Sequence, residues 1–269
     1  MKTKVILLGS ALLFSMFLGS CSSEDEYNNP ESGEIELDND ELDPFSMFAV
    51  WYNDSTISTI GAMHNQCMDS IAANYVQMST LPNYLHGYCF RRGTISNSHA
   101  DSVRFFSEMH SVIYTENGIP RTLENPKPIS SDVPQSWNKY IDQFEEIIES
   151  GDTTMLALQN FASIKSDIIR SSTITDTDRA CLLCIGEIAQ ASYEYNIVGE
   201  TISFLLSRAE RVVEADMAGA ASSVAAGVAS GKYVGLLIFG PEGVVSAVAA
   251  DAFLGAVMSS SWALITCWF

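Results

Sequence analysis

The sequence predicts an all-α fold: a helical bundle with a small-residue-rich C-terminal helical hairpin. Three observations point there. Beyond residue 45 the apolar residues recur at intervals of three and four rather than two. Capping pairs and glycine stops punctuate those stripes. Finally, Gly, Ala and Ser repeat every four residues through the last fifth of the chain. No window alternates convincingly as a strand.

Residues 1–20 read as an export signal. Lys2 and Lys4 precede an apolar run from Val5 to Leu18, and the small residues Gly19 and Ser20 precede Cys21. The run is too short, and its end too polar, for a lasting membrane span. Leu18-Gly19-Ser20-Cys21 resembles a bacterial lipobox, which would make Cys21 the lipidated first residue of the mature chain. Residues 21–45 form an acidic tether. Ten acidic residues and no basic one lie between Ser22 and Pro44, a composition that repels itself and buries nothing. Its opening, Cys21-Ser22-Ser23-Glu24-Asp25-Glu26, is similar to the export signal of Bacteroidetes lipoproteins displayed outside the outer membrane. A surface-exposed outer-membrane lipoprotein is therefore expected, with the periplasmic face as the alternative.

Residues 46–215 read as a helical domain. A first stripe holds Ile57, Ile60, His64, Cys67, Ile71, Tyr75 and Met78. A second runs Val103, Phe106, Met109, Val112 and Ile113, opened by Ser98 and Asp101 and closed by Asn117-Gly118. Ile119 to Pro134, with four prolines, is a loop. The third stripe is Trp137, Tyr140, Ile141, Phe144, Ile147 and Ile148, closed by Ser150-Gly151. Leu158, Phe161, Ile164, Ile168 and Ile169 make the fourth. Thr175 and Asp178 form a capping box for the fifth, which carries Cys181, Cys184, Ile188 and Ala191. A sixth holds Ile202, Leu205, Leu206, Ala209 and Val213.

Residues 216–269 read as a Gly/Ala-rich hairpin. Between Asp216 and Met258, 22 of 43 residues are Gly, Ala or Ser, so side chains cannot hold two helices apart. One row is Gly219, Ser223, Gly227, Gly231 and Gly235; the other, after the turn at Gly240-Pro241, includes Gly243, Ala247, Asp251 and Gly255. These rows are the predicted helix-packing positions, in the manner of a glycine zipper. Asp251 and Glu242 would be costly in hydrocarbon unless paired, which favours packing within the domain over insertion in lipid.

Charge and motifs bound the function. Fourteen Lys and Arg against 33 Asp and Glu give a net charge of −19, which excludes a nucleic-acid binder relying on phosphate neutralisation. Six cysteines less a lipidated Cys21 leave five, so disulfides cannot close them all within one chain. Cys181 and Cys184 have C-x-x-C spacing but fall beyond the helix start, where a redox pair would sit, and read as packing thiols. His64 and Cys67 could complete a Cys₃His zinc site with them, against the commoner reading of a core histidine. His64, His86, His99 and His110 fit no H-E-x-x-H, and neither a nucleophile elbow nor a phosphate-binding loop is present. Asp142, Glu145, Glu146 and Glu149 lie on a polar helix face. No cofactor, metal or catalytic residue is predicted, and the chain reads as a non-catalytic binding module whose protein or small-molecule ligand the sequence does not name.

Together with the lipobox and the acidic start, four segments of the body resemble a group of Bacteroidetes lipoproteins. They are Gly61 to Cys67, Thr175 to Asp178, Ser192-Tyr193-Glu194-Tyr195, and the Ala215 to Ala220 run that opens the tail. The resemblance implies lipid anchoring and implies no activity. The tail is also similar to the membrane-active hairpins of some bacteriocins, which supplies the alternative of a toxin-like protein acting through residues 216–269.

Overall fold

The structure is a computed structural model and describes residues 56–74, 76, 80–91, 106, 133–198, 203–234, 236 and 241–268. These form seven helices and no strand: α1 (Thr56–Ala73), α2 (Leu81–Arg91), α3 (Asn138–Ser150), α4 (Met155–Arg170), α5 (Asp176–Asn196), α6 (Ser203–Ala229) and α7 (Pro241–Trp268). The export signal, Cys21, the acidic tether, Gly235 and all of the second stripe except Phe106 lie outside the described residues.

In α1 the expected stripe of Ile57, Ile60, His64, Cys67 and Ile71 is buried. Tyr75 and Met78 of the expected stripe lie outside the described residues, and the helix stops at Ala73. There the Asn74 side-chain amide donates to the Ser70 carbonyl at 2.7 Å, as a residue leaving a helix does. Helix α2 had no counterpart in the periodicity; among its described side chains Leu81, Leu85 and Tyr88 are buried. It starts with Pro82 in its first turn, where the missing N–H costs nothing.

Helices α3 and α4 form an antiparallel pair closed by Gly151, whose φ of 56° suits glycine and whose N–H bonds the Ile148 carbonyl. Thr154 caps α4 by accepting the Leu156 N–H. At the other end of α4 the buried Arg179 donates to the Ile168 and Ser171 carbonyls at 3.3 and 2.6 Å, and pairs with Asp176. The Ile168 carbonyl also accepts the C-cap Ser171 N–H at 3.3 Å, so the guanidinium adds a second donor at the end of the helix, where carbonyls outnumber backbone donors.

The Thr175–Asp178 box opens α5 as expected. What the stripe did not convey is that Ala180 through Gly186 are all buried. Seven consecutive residues span about two turns, so this length of helix has no solvent face. Contacts with α1, α3, α4, α6 and α7 enclose it, making α5 the axis of the bundle.

Helix α6 passes through the expected boundary at residue 215/216 without interruption. The sixth stripe from Leu205 and the first hairpin arm are thus one helix, and Ala209, Val213 and Met217 on it pack with the core of α1 to α5; Ile202 lies outside the described residues. The arms α6 and α7 pack along each other as a hairpin. Contact is closest where Gly219 and Gly255 meet: a Cβ on either would overlap the other's carbonyl, with Ser223 and Ser259 alongside. The rest of the rows departs from a single seam. A Cβ on Gly227 would strike the ring of Tyr233 rather than α7. Gly231 lies beyond the end of α6 at φ 70° with open space around it, so it is a turn residue and not a packing one. Gly243 is buried and Ala247 is half-buried. Asp251, buried within α7, accepts from Lys232 Nζ at 2.8 and 3.0 Å and from the Tyr233 hydroxyl at 2.7 Å.

Candidate functional site: a cleft between α1 and α5

Two helix faces line a cleft of about 450 Å³. From α1 come Ser58, Gly61, Ala62 and Asn65, at the i, i+3, i+4, i+7 spacing of one face. From α5 come Glu187, Gln190, Ala191, Glu194 and Tyr195, at the same spacing. The helices touch at Gly61, where a Cβ would lie 2.5 Å from that of Ala191 and 2.7 Å from the Glu187 carbonyl. Small residues at the contact leave longer polar side chains to form the walls. The volume suits a small molecule or a single side chain of a partner.

Each wall continues inward as a buried polar chain. On α5, the Glu187 carboxylate meets Lys165 Nζ of α4 at 2.5 Å. Burial pushes Glu187 up to about 7 and pulls Lys165 down to about 8. On α1, Asn65 donates its amide to the Ala191 carbonyl at 3.0 Å, and its Oδ1 faces His64 Nδ1 at 3.1 Å. The opposite ring nitrogen, Nε2, lies 3.3 Å from Asp216 Oδ1 of α6. Asp216 also accepts from the Ser192 hydroxyl of α5, and Asn196 donates to Ser192 Oγ at 3.1 Å. His64, Asp216 and Ser192 are at most 1% exposed. Burial lowers the His64 pKa, but the Asp216 charge and the bonds to Asp216 and Asn65 outweigh it, leaving a net rise.

Chemically this arrangement fastens helices to one another and presents polar groups to the cleft. Asp216 stands between the Ser192 hydroxyl and the His64 ring, whereas a serine nucleophile needs the imidazole in the middle. Among the described residues no group of three or more His, Cys, Asp or Glu side chains is placed to hold a metal ion, so His64, Cys67, Cys181 and Cys184 are not assembled into a zinc site. Cys67, Cys181 and Cys184 are buried and outside any disulfide, and burial pushes Cys181 and Cys184 upward, away from the thiolate form that redox chemistry uses.

Three segments singled out in the sequence converge here. His64, Ser192 and Asp216 belong to the Gly61–Cys67, Ser192–Tyr195 and Ala215–Ala220 segments. Sequence reasoning missed Asn65, Lys165, Glu187, Ser192 and Asp216 as site residues. The available signal was charge inside apolar stretches: Lys165 one residue after Ile164, and Asp216 among alanines. No family model, curated protein or solved structure matches the chain.

Proposed function

We propose that the protein is a bacterial outer-membrane lipoprotein, held by lipid on Cys21, whose helical bundle binds a ligand in the α1–α5 cleft without catalysis. The observation that carries the anchoring is the run Leu18-Gly19-Ser20-Cys21 between an apolar segment and an acidic tether. The cleft, walled by polar groups that buried partners hold in place, supports the binding role. Palmitate labelling of cells should mark the protein and be lost in Cys21→Ala; soluble release with Cys21 intact would overturn the anchoring. Protease shaving of whole cells distinguishes display at the surface from the periplasmic face. A fragment screen read by chemical shift should perturb Asn65 and Gln190, and a screen that leaves both unmoved removes the binding role.

A second reading is a membrane-active C-terminal hairpin. It is favoured by two stretches long and apolar enough to cross a membrane, Ala209–Ala229 and Gly243–Ser261, with mean hydropathy 1.2 and 1.5. The same stretches are 61% and 83% buried within the bundle, and Asp251 has its cationic and hydroxyl partners there, so a packing role is preferred. Dye leakage from liposomes on addition of the full chain would reverse that preference.

A further inference from the structure

We propose that a proton on His64 locks α1 to α6, and that its loss releases the α1 wall of the cleft. The inference starts from hydrogen-bond direction. The Asn65 amide nitrogen must donate to the Ala191 carbonyl, because the flipped amide would set two oxygens against each other. Its Oδ1 is thereby fixed as an acceptor, and His64 Nδ1 must carry a hydrogen to meet it. A neutral His64 then has only a lone pair on Nε2, aimed at the Asp216 carboxylate. Among the described residues neither Nε2 nor Asp216 Oδ1 has another hydrogen-bond partner, and both are buried. Two acceptors facing each other at 3.3 Å is repulsive; the imidazolium form makes the same contact an ion pair.

Among the described residues the surroundings supply no substitute proton. Asp216 is the charged group that acts on His64. From α5 the neighbours are the Ser192 hydroxyl, already donating to Asp216, and Asn196, which bonds Ser192. Asp251 of α7 is occupied by Lys232 and Tyr233. Deprotonation above the raised His64 value sends the proton to solvent and removes the tie to α6, leaving α1 held by packing and by its bonds to α5, from Asn65 to the Ala191 carbonyl and from Tyr195 to Asp69. The linkage sign follows: a raised folded-state value gives stability that is full below the ordinary histidine range and lost as pH rises through the folded value. Asn65 belongs both to this lock and to the cleft, so the lock governs the wall on which the proposed binding role rests.

Hydrogen exchange of the full chain, corrected for the intrinsic pH dependence of exchange, tests the lock without any ligand. Protection of α1 should fall several-fold between pH 6 and pH 9 in the natural protein. In Asp216→Asn the amide can donate to neutral Nε2 and still accept from Ser192, so protection should become independent of pH. His64→Gln, which places a permanent N–H donor near the Nε2 position, should do the same and serves if the first variant does not fold. In the natural protein, the His64 Cε1 resonance, assigned through His64→Gln, should report a charged ring at pH 7. A neutral ring at pH 7, a flat natural profile, or variants that keep the natural slope would each overturn the lock. Fragments that still perturb Asn65 and Gln190 in that event leave the binding role standing.

Discussion

Gly219 and Gly255 face each other across the α6–α7 crossing, each occupying the space a side chain on the other would need. A methyl group on Gly219 would meet the Gly255 carbonyl, a backbone atom that cannot swing aside. Overpacking of this kind costs about 1–3 kcal/mol, against a gain of up to about 1 kcal/mol in helix propensity. Gly219→Ala should therefore lower the melting temperature of the full chain. A rise would mean that the arms do not touch there.

Gly231 and Gly227 should fail for different reasons. Gly231→Ala meets no atom but forces a side chain into the left-handed region, a loss of about 1 kcal/mol, which Gly231→Asn should largely recover. Gly227→Leu would displace the buried Tyr233 and with it a hydroxyl bonded to Asp251. Thermal melts should rank Gly227→Leu as much the more damaging of the two.

Asp178 serves two elements at once. One carboxylate oxygen accepts the indole N–H of the fully buried Trp137 at 2.7 Å, while the other completes the α5 capping box. Loss of a cap costs about 0.5–2 kcal/mol, and an unpaired buried donor about 1–3 kcal/mol. Asp178→Ala should therefore destabilise clearly more than Thr175→Ala, which disturbs only the cap. Equal losses in urea denaturation would remove the indole bond from the account.

The Lys165–Glu187 pair predicts two opposite pH dependences. Removing one partner of a buried pair costs about 3–5 kcal/mol, whereas apolar replacement of both is often neutral. In Glu187→Gln the remaining Lys165 has a depressed value, so the deficit should shrink as pH rises from about 8 toward the ordinary lysine range. In Lys165→Met the remaining Glu187 has a raised value, so the deficit should shrink as pH falls from about 7 toward 4.5. The double variant Lys165→Met/Glu187→Leu should melt near the natural protein. Parallel pH profiles for the two single variants would contradict this.

The α-helical class, the third to fifth stripes and the Thr175 cap were legible because burial there follows helical spacing in a single segment. The enclosure of α5 was not: leucines and cysteines on its second and third faces are explained only by helices far away in sequence. The partners of His64 illustrate the same limit. Its stripe gave a buried histidine, but Asp216 lies on a helix that the small-residue pattern marked for packing. Two helix faces that each look ordinary, Ser58 to Asn65 and Glu187 to Tyr195, make a cleft only when opposed.

That α5 is the axis of the bundle has a consequence for the order of assembly. Helix α1 is synthesised early, yet the carbonyl that receives its Asn65 amide lies 126 residues downstream. Contacts of such long range form late, since the chain entropy of closing the intervening loop precedes their reward. The nascent N-terminal helix must therefore wait, with its apolar stripe uncovered, until the axis emerges and attracts it. That interval is when holding chaperones have something to hold, and pulse-labelled refolding should show α1 gaining protection after α3, α4 and α5.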